Sequence, residues 1–377
     1  MLNAGSSSLK FSLFAARPTL DSSVHGAVER IGRESRLVIG GGDGRAVRAP
    51  DQRAALDVVA EWVERALDGA RPVAVGHRVV HGGTVHAAPL RVDDAVMAAL
   101  EALVPLAPLH QPPELHAMRA VAARWPEVPQ VACFDTAFHR DRPEIAQMFA
   151  VPRALHESGV RRYGFHGISY ESIAATLGTV APAIADGRVV VAHLGSGASL
   201  CAMRGRRSVD TTMTFSPLDG LPMGTRVGDL DPAVVLYLQR ARGMAPEAIE
   251  RLLYNASGLL GLSGVSSDVR DLEASADPRA RVALEYFAYR VAREIGALTV
   301  SLGGLDALVF TAGIGEHAAS VRADVCARLA WLGLALDEGA NERHDTRISA
   351  DGSLVSVWVI PTDEEGVIAR HVLRVVG

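Results

Sequence analysis

The chain has 377 residues, with Lys+Arg 38 against Asp+Glu 43, a net charge of -5 and 49% hydrophobic residues. This length suits two domains with a core each, and the composition excludes general disorder. No apolar run approaches the ~18 residues of a membrane span, and a mildly acidic balance argues against nucleic acid as the main partner. The opening Met1-Leu2-Asn3-Ala4-Gly5 carries no basic region ahead of an apolar stretch, so no signal peptide is read there. Cys133, Cys201 and Cys326 are far apart and odd in number, which is neither a disulfide framework nor a zinc spacing; a cytoplasmic protein is expected.

In chain order, an apolar start leads into the polar turn Asn3 to Lys10 and then Phe11 to Phe14, which reads as strand, turn, strand. Lys10 is the only lysine of the chain, and in a Gly/Ser turn a compact, flexible ammonium can meet phosphate. Only Met1 and Leu2 precede Asn3, whereas a strand averages about five to six residues. The expectation is that the natural chain begins upstream of Met1 or that this copy is impaired. Leu56, Val59, Val63 and Leu67 recur at helical spacing between Asp51 and Asp68. Val189 to Leu194 reads as a buried strand, Gly195 to Ser199 as a turn and Leu200 to Met203 as a second strand. One such hairpin alone is ordinary; two half a chain apart suggest a duplicated domain, each half opening on a turn that can cradle phosphate.

Asp231-Pro232 opens a helix through Leu238. A long helix runs from Pro278 to Leu302 and stops at Gly303-Gly304. Ala307 to Phe310 is a strand, Thr311 to Gly315 a turn, Ser320 to Leu332 a helix, Val355 to Ile360 a last strand and Glu364 to Leu373 a last helix. Alternating strands and helices give an α/β class.

The lysine precedes Phe11, so there is no Walker loop, and the protein-kinase signatures are absent. Gly313-Ile314-Gly315-Glu316-His317-Ala318 matches a dinucleotide fingerprint, yet too little chain follows for a full dinucleotide fold, and a helix N-terminus facing part of a nucleotide fits equally well. Arg78 and Arg226 are flanked by glycines, a setting in which a guanidinium reaches phosphate or carboxylate bidentately. His77, His81, His110, His139, His166 and His193 have no zinc-motif spacing and read as hydrogen-bond donors around a charged substrate. Asp363-Glu364-Glu365 suits either the helix dipole or a Mg²⁺ site that uses few protein oxygens.

Together these segments resemble the acetokinase family. The match runs through Asn3 to Phe11, Gly76 to Gly83, Phe134 to His139, Arg161 to Gly167, His193 to Ser199, Gly220 to Pro232, Ser257 to Asp271, Phe310 to Glu316 and Ile360 to Glu365. The family stands with sugar kinases, actin and heat-shock chaperone ATPases. The resemblance implies two duplicated ribonuclease-H-like domains with the active site in the interdomain cleft, residues 1–137 completed by the helix 365–377, and residues 138–364 for nucleotide. It implies a homodimer and reversible phosphoryl transfer from ATP to acetate, giving acetyl phosphate and ADP, with Mg²⁺ or Mn²⁺ in its place; propionate or another short-chain acid is the alternative acceptor.

By the same resemblance, Asn3 and Glu364 hold the metal, and Ser6, Ser8 and Lys10 form the first phosphate turn. His193, Leu194, Gly195, Ser196 and Gly197, with Asp268, Val269 and Arg270 and with Gly313, Ile314, Gly315, Glu316 and His317, bind the nucleotide. Arg78 takes the substrate, His166 and Arg226 stabilise the transition state, and Val80, Leu109, Phe165 and Pro217 surround the acyl methyl. Asp135 is the catalytic acid residue. A carboxylate nucleophile is already ionised, so Asp135 is expected to orient an arginine or imidazole rather than remove a proton. Ser196 and His317 depart from the family, which usually has Asn at both places. A nicotinamide-dependent enzyme and a non-enzymatic actin-like ATPase stay open as other classes.

Overall fold

Two β-sheets organise the computed structural model, which describes residues 1–5, 7–15 and 20–377; Ser6, named above for the first phosphate turn, lies outside them. The chain divides into one unit of Met1–Ala137 with Asp363–Gly377 and a second of Phe138–Thr362. The first unit holds β1 (Leu2–Ala4), β2 (Ser8–Ala15), β3 (Asp21–Glu29), β4 (Arg36–Ile39), β5 (Arg45–Ala46), β6 (Val75–Val79), β7 (Leu90–Arg91) and β8 (Gln130–Phe134), in the order β5-β4-β3-β2-β1-β6-β8-β7. The second holds β9 (Arg188–Leu194), β10 (Ala198–Arg204), β11 (Arg207–Thr211), β12 (Ala307–Thr311) and β13 (Ser356–Val359), in the order β11-β10-β9-β12-β13.

The five strands β3-β2-β1-β6-β8 repeat the pattern of β11-β10-β9-β12-β13. In each run the first three strands are antiparallel and the last three parallel. This is a duplicated, ribonuclease-H-like α/β fold. A tight turn joins the middle strand of each run to its antiparallel neighbour: Gly5 N–H donates to Ser8 O at 2.8 Å, and Gly195 N–H to Gly197 O at 3.0 Å.

Local chemistry sets the helix ends. Asp51 caps the helix Gln52–Ala66 by accepting from Ala54 N–H, and the buried face is Ala55, Leu56, Val59, Ala60 and Val63. The helix Pro278–Leu302 has Asp277 as its cap and Pro at its first position, and it ends on Gly303 at φ 69°. It covers the second sheet with Phe287, Val291, Ile295 and Leu302 among its buried residues. The C-terminal helix Glu364–Val376 lies so close on β6 that a Cβ at Gly76 would stand 2.6 Å from both Ile368 Cγ2 and Val372 Cγ2.

Two local readings are corrected. Thr311 to Gly315 is not a turn: the helix Ala312–His317 starts directly after β12, because Glu316 Oε1 accepts the Ala312 N–H at 2.8 Å and closes its first turn. The expected helix from Ser320 to Leu332 is Ala319–Arg328, followed by a 3₁₀ turn at Ala330–Leu332. No described helix is long and apolar enough to cross a membrane.

Candidate active site

In the first unit, the parallel strands β6 and β8 end side by side, and Asp135 N–H continues the ladder to Val79 O at 2.9 Å. This register delivers Arg78 and Asp135 to the same end of the sheet. Arg78 Nε donates to Asp135 Oδ1 at 3.1 Å, and Nη2 to Oδ2 at 2.5 Å, a fork matched to a carboxylate. Asp135 is buried, and desolvation pushes its carboxyl up to about 6 against the pull of Arg78, with Glu364 adding to the rise. Burial opposes charge on Arg78 as well, but Asp135, Glu364 and Glu114 together raise it above its ordinary value.

Glu114 was not legible as a site residue. It sits in the first turn of the helix Gln111–Arg124, 3% exposed, where both carboxyl oxygens accept from Val80 N–H at 3.2 and 3.0 Å. Burial raises its carboxyl well above the usual range, against the hydrogen bond from Val80 and the nearby Arg78. Val80 is buried, whereas Leu109 is 38% exposed.

The first hairpin puts Asn3 opposite Lys10 in the β1–β2 ladder, and Gln52 Nε2 ties the turn down through Gly5 O at 2.5 Å. Glu364 opens the C-terminal helix, whose cap is Asp363 accepting from Gly366 N–H at 2.8 Å. Among the described residues no group of three or more His, Cys, Asp or Glu is arranged to hold a metal. An amide oxygen from Asn3 and one carboxylate from Glu364 fit a Mg²⁺ ion that keeps most of its shell as water and phosphate oxygens. An apolar cavity of about 630 Å³ lies in this unit among Leu2, Phe11, Leu56, Val63, Trp125 and Val372, and none of Asn3, Lys10, Arg78, Asp135 or Glu364 lines it.

The histidines do not act as one group. His77 is buried against Gln130 Oε1 at 2.8 Å, and burial lowers it to about 3. His81 is buried and lowered to about 4, its Nδ1 accepting from Gly83 N–H. His139 is likewise lowered to about 3 by burial and Arg142. These three are framework, because desolvation keeps them neutral and each ring has a nitrogen in a hydrogen bond to a protein group.

In the second unit, His139 and Arg142 set the backbone that leads to His166. Arg142, buried, donates through Nη2 to Arg162 O and Tyr163 O, both at 2.8 Å. His139 Nε2 donates to Phe165 O at 2.9 Å, and its Nδ1 pairs with Ser208 Oγ at 2.8 Å. Gly164 bends at φ 91°, where a Cβ would stand 2.6 Å from the His139 ring. The chain thus reaches His166, at φ 56°, and turns into the helix Gly167–Val180.

His166 stacks on His193, ring centroids 4.2 Å apart and 25° between planes. His193 Nδ1 pairs with Ser169 Oγ and His166 Nδ1 with Ser199 Oγ, each at 2.8 Å. Gly197 in the β9–β10 turn is what lets this group close in. A Cβ there would lie 3.3 Å from His166 Nε2 and 3.5 Å from Arg226 Nη1.

Arg226 is held by Pro217 O at 3.1 Å, in a turn closed by Met223 N–H to Arg226 O at 3.1 Å. Leu259 N–H and Leu260 N–H cap that turn at Met223 O and Gly224 O. Gly258, at φ 62°, makes room: a Cβ would come 2.1 Å from Met223 O. Gly224 N–H reaches Ser196 O at 3.3 Å, linking this loop to the β9–β10 turn. Phe165 and Pro217 are buried.

The remaining segments expected to bind nucleotide have mixed settings. Asp268 caps the helix Val269–Ala274 through Arg270 N–H and also pairs with the exposed Arg270 guanidinium, Nη2 to Oδ2 at 2.6 Å. Gly313 and His317 are exposed on the helix Ala312–His317. Arg322, unnoticed in the sequence, is 0% exposed beneath it. It donates through Nη1 to Gly315 O at 3.0 Å and Glu316 O at 2.9 Å, and through Nε to Asn341 Oδ1 at 2.8 Å.

A duplicated α/β fold with a glycine turn in each half, and with arginines and imidazoles at strand and helix ends, is a two-unit α/β frame with groups suited to anions, and its relatives make it a kinase. The sequence profile of the acetokinase family matches residues 1–370, and the chain belongs to that family. It is 52% identical over 383 residues to the acetate kinase of Nitrobacter hamburgensis, covering 99% of this chain and 95% of that protein. Among solved structures it is similar to the acetate kinase of Porphyromonas gingivalis, with 36% identity, TM-score 0.90, and 100% of this chain and 98% of that one covered. It is also similar to a propionate kinase from Francisella tularensis, with 35% identity, TM-score 0.94, and 99% and 98% covered.

Proposed function

We propose that this chain transfers the terminal phosphoryl group of ATP to the carboxylate of acetate, reversibly, giving acetyl phosphate and ADP. The observation that carries the reading is the approach of His166 Nε2 and Arg226 Nη1 to the Gly197 position of the second phosphate turn, in a chain 52% identical to an acetate kinase. Phosphoryl transfer asks a protein for alignment and charge neutralisation rather than covalent chemistry, and an imidazole and a guanidinium beside a glycine turn supply both.

Arg78, oriented by Asp135, binds the acceptor carboxylate. Val80, Leu109, Phe165 and Pro217 recognise its methyl. Lys10 with Ser8, and His193 to Gly197, hold phosphate oxygens, while Asp268 to Arg270 and Gly313 to His317 take the nucleoside side. Asn3 and Glu364 would hold Mg²⁺. Neutralisation of charge on the transferring phosphates is what that ion supplies when bound. The acceptor oxygen is ionised at neutral pH, so no side chain need remove a proton from it.

We also propose a cytoplasmic homodimer. The helix Pro232–Arg240 buries none of its residues and exposes Val234, Leu236 and Tyr237, an apolar surface suited to a second copy. Sedimentation of the purified protein as a monomer would remove that part.

The test of function is a hydroxamate assay with ATP and acetate, propionate or butyrate side by side. An extra methylene changes discrimination by only ~1–3 kcal/mol, so propionate should react less well than acetate. Absence of acyl phosphate with every acid sinks the reading, and butyrate ahead of acetate overturns the acyl assignment.

A further inference from the structure

We propose that Ser199, Tyr170 and Ser169 are positioning residues that lock His166 and His193 in the tautomer with the proton on Nε2, so that both stacked rings present an N–H at the second phosphate turn. The inference rests on the phosphotransfer reading above for its consequence in catalysis, but not for its geometry.

The geometry is a reciprocal exchange between two elements. Ser169 and Tyr170 are neighbours in the first turn of the helix that His166 opens, and His193 and Ser199 face each other in the β9–β10 ladder. The helix lends Ser169 Oγ to the strand's His193 Nδ1, and the strand lends Ser199 Oγ to the helix's His166 Nδ1, both at 2.8 Å. Tyr170 Oη stands behind Ser199 Oγ at 2.5 Å. Ser169, Ser199 and Tyr170 are each 0% exposed, so bulk water does not compete for these bonds.

Direction follows from proton supply. A phenol is the stronger acid of the two hydroxyls, so Tyr170 donates to Ser199 Oγ and Ser199 passes its own proton toward His166 Nδ1. A ring nitrogen that accepts at Nδ1 carries its proton on Nε2. His166 Nε2 is the atom 3.3 Å from the Cβ position of Gly197, and His193 Nε2 lies 3.8 Å from that of Gly195. Two cationic rings 4.2 Å apart would repel each other far more strongly than two neutral ones, even with their N–H dipoles aligned. Both donors are therefore set before substrate arrives, which spares reorganisation during transfer.

The test uses the whole enzyme labelled with ¹⁵N-histidine, in which two-bond ¹H–¹⁵N correlations distinguish the two tautomers. The expected wild-type pattern is Nε2–H for both rings, with Ser199→Ala changing His166 and Ser169→Ala changing His193. For Ser199→Ala and Tyr170→Phe, kcat should fall about 10- to 100-fold, the usual cost of losing a supporting hydrogen bond behind an active-site group. KM for ATP and acetate should stay within about two-fold, because the rings and their positions remain. Tyr170→Phe keeps the shape of the buried ring and carries the test if Ser199→Ala fails to fold. An Nδ1–H pattern at His166 in the wild type overturns the proposal, as does a folded Tyr170→Phe or Ser199→Ala protein with unchanged tautomer and kcat. A wild type that makes no acyl phosphate would defeat the phosphotransfer reading, while the spectra would still decide the tautomers.

Discussion

Asp135 grips Arg78 with both carboxyl oxygens, yet it is the partner that burial penalises. Its carboxyl is raised from 3.8 to about 6 by desolvation, only partly offset by Arg78. Between those two values the folded protein holds a proton that the unfolded chain has released. The stability contributed by this group is therefore full below pH 3.8 and is lost as pH rises to about 6, a change of roughly 3 kcal/mol at ~1.4 kcal/mol per pH unit.

Activity should run the other way, because orienting Arg78 needs the carboxylate. We expect an acid limb near pH 6 in acetate phosphorylation, absent from Asp135→Asn, together with a flatter pH dependence of that variant's urea midpoint between pH 3.8 and 6. An acid limb alone fits a base as well as an orienter. What separates them is the variant at high pH: recovery of its activity would make Asp135 the base.

Arg226 is held by backbone on one side and faces the Gly197 position on the other. Arg226→Ala should lower kcat by about 10²- to 10³-fold, the order of one lost oxyanion donor. The melting temperature should fall far less than kcat, because the side chain is only half-buried. Turnover near wild type in folded protein would remove Arg226 from the transition state.

Gly258 carries no functional group, yet it sets the arginine's position. At φ 62°, with a Cβ that would collide with Met223 O and Arg226 O at 2.1 and 2.7 Å, alanine forces the Met223–Arg226 turn away. Gly258→Ala should lose both stability, by more than about 1 kcal/mol, and kcat. Gly243→Ala, also at positive φ but with open space around it, should cost stability with normal kcat. Equal kinetics in the two variants would separate the turn from catalysis.

What could be read in the sequence was local. Asp231 with Pro232, Gly303, and the two glycine hairpins are decided by neighbours within a few residues, so helix ends and turns were legible. His77 and His139 read as substrate donors because burial, which no spacing reveals, is what makes each ring neutral framework. Glu114, Tyr170 and Arg322 left no signal: as types they are an acidic first-turn residue, a core aromatic and a helix arginine. Their roles come from partners 34, 29 and 19 positions away. Thr311 to Gly315 reads as a turn from its glycines, whereas the Glu316 carboxylate closes a helical turn there and Arg322 supports it from below.

Arg322 yields the last prediction. It is fully buried, and its hydrogen bonds among the described residues go to neutral acceptors: the carbonyls of Gly315 and Glu316, the Asn341 amide oxygen and backbone carbonyl, and His344 Nδ1. Burial lowers it from its ordinary value, but the five-donor fork keeps every bond in one plane. Arg322→Lys keeps the charge and loses the fork, leaving buried acceptors unmatched at ~1–3 kcal/mol each. The helix Ala312–His317 would then sit less firmly on its support. Because that helix is assigned to nucleotide and not to acetate, KM for ATP should rise several-fold while KM for acetate holds, and ATP should raise the variant's melting temperature less than it raises the wild type's. If both KM values rise together, or if ATP protects the two proteins equally, Arg322 supports the unit as a whole and not the nucleotide segment.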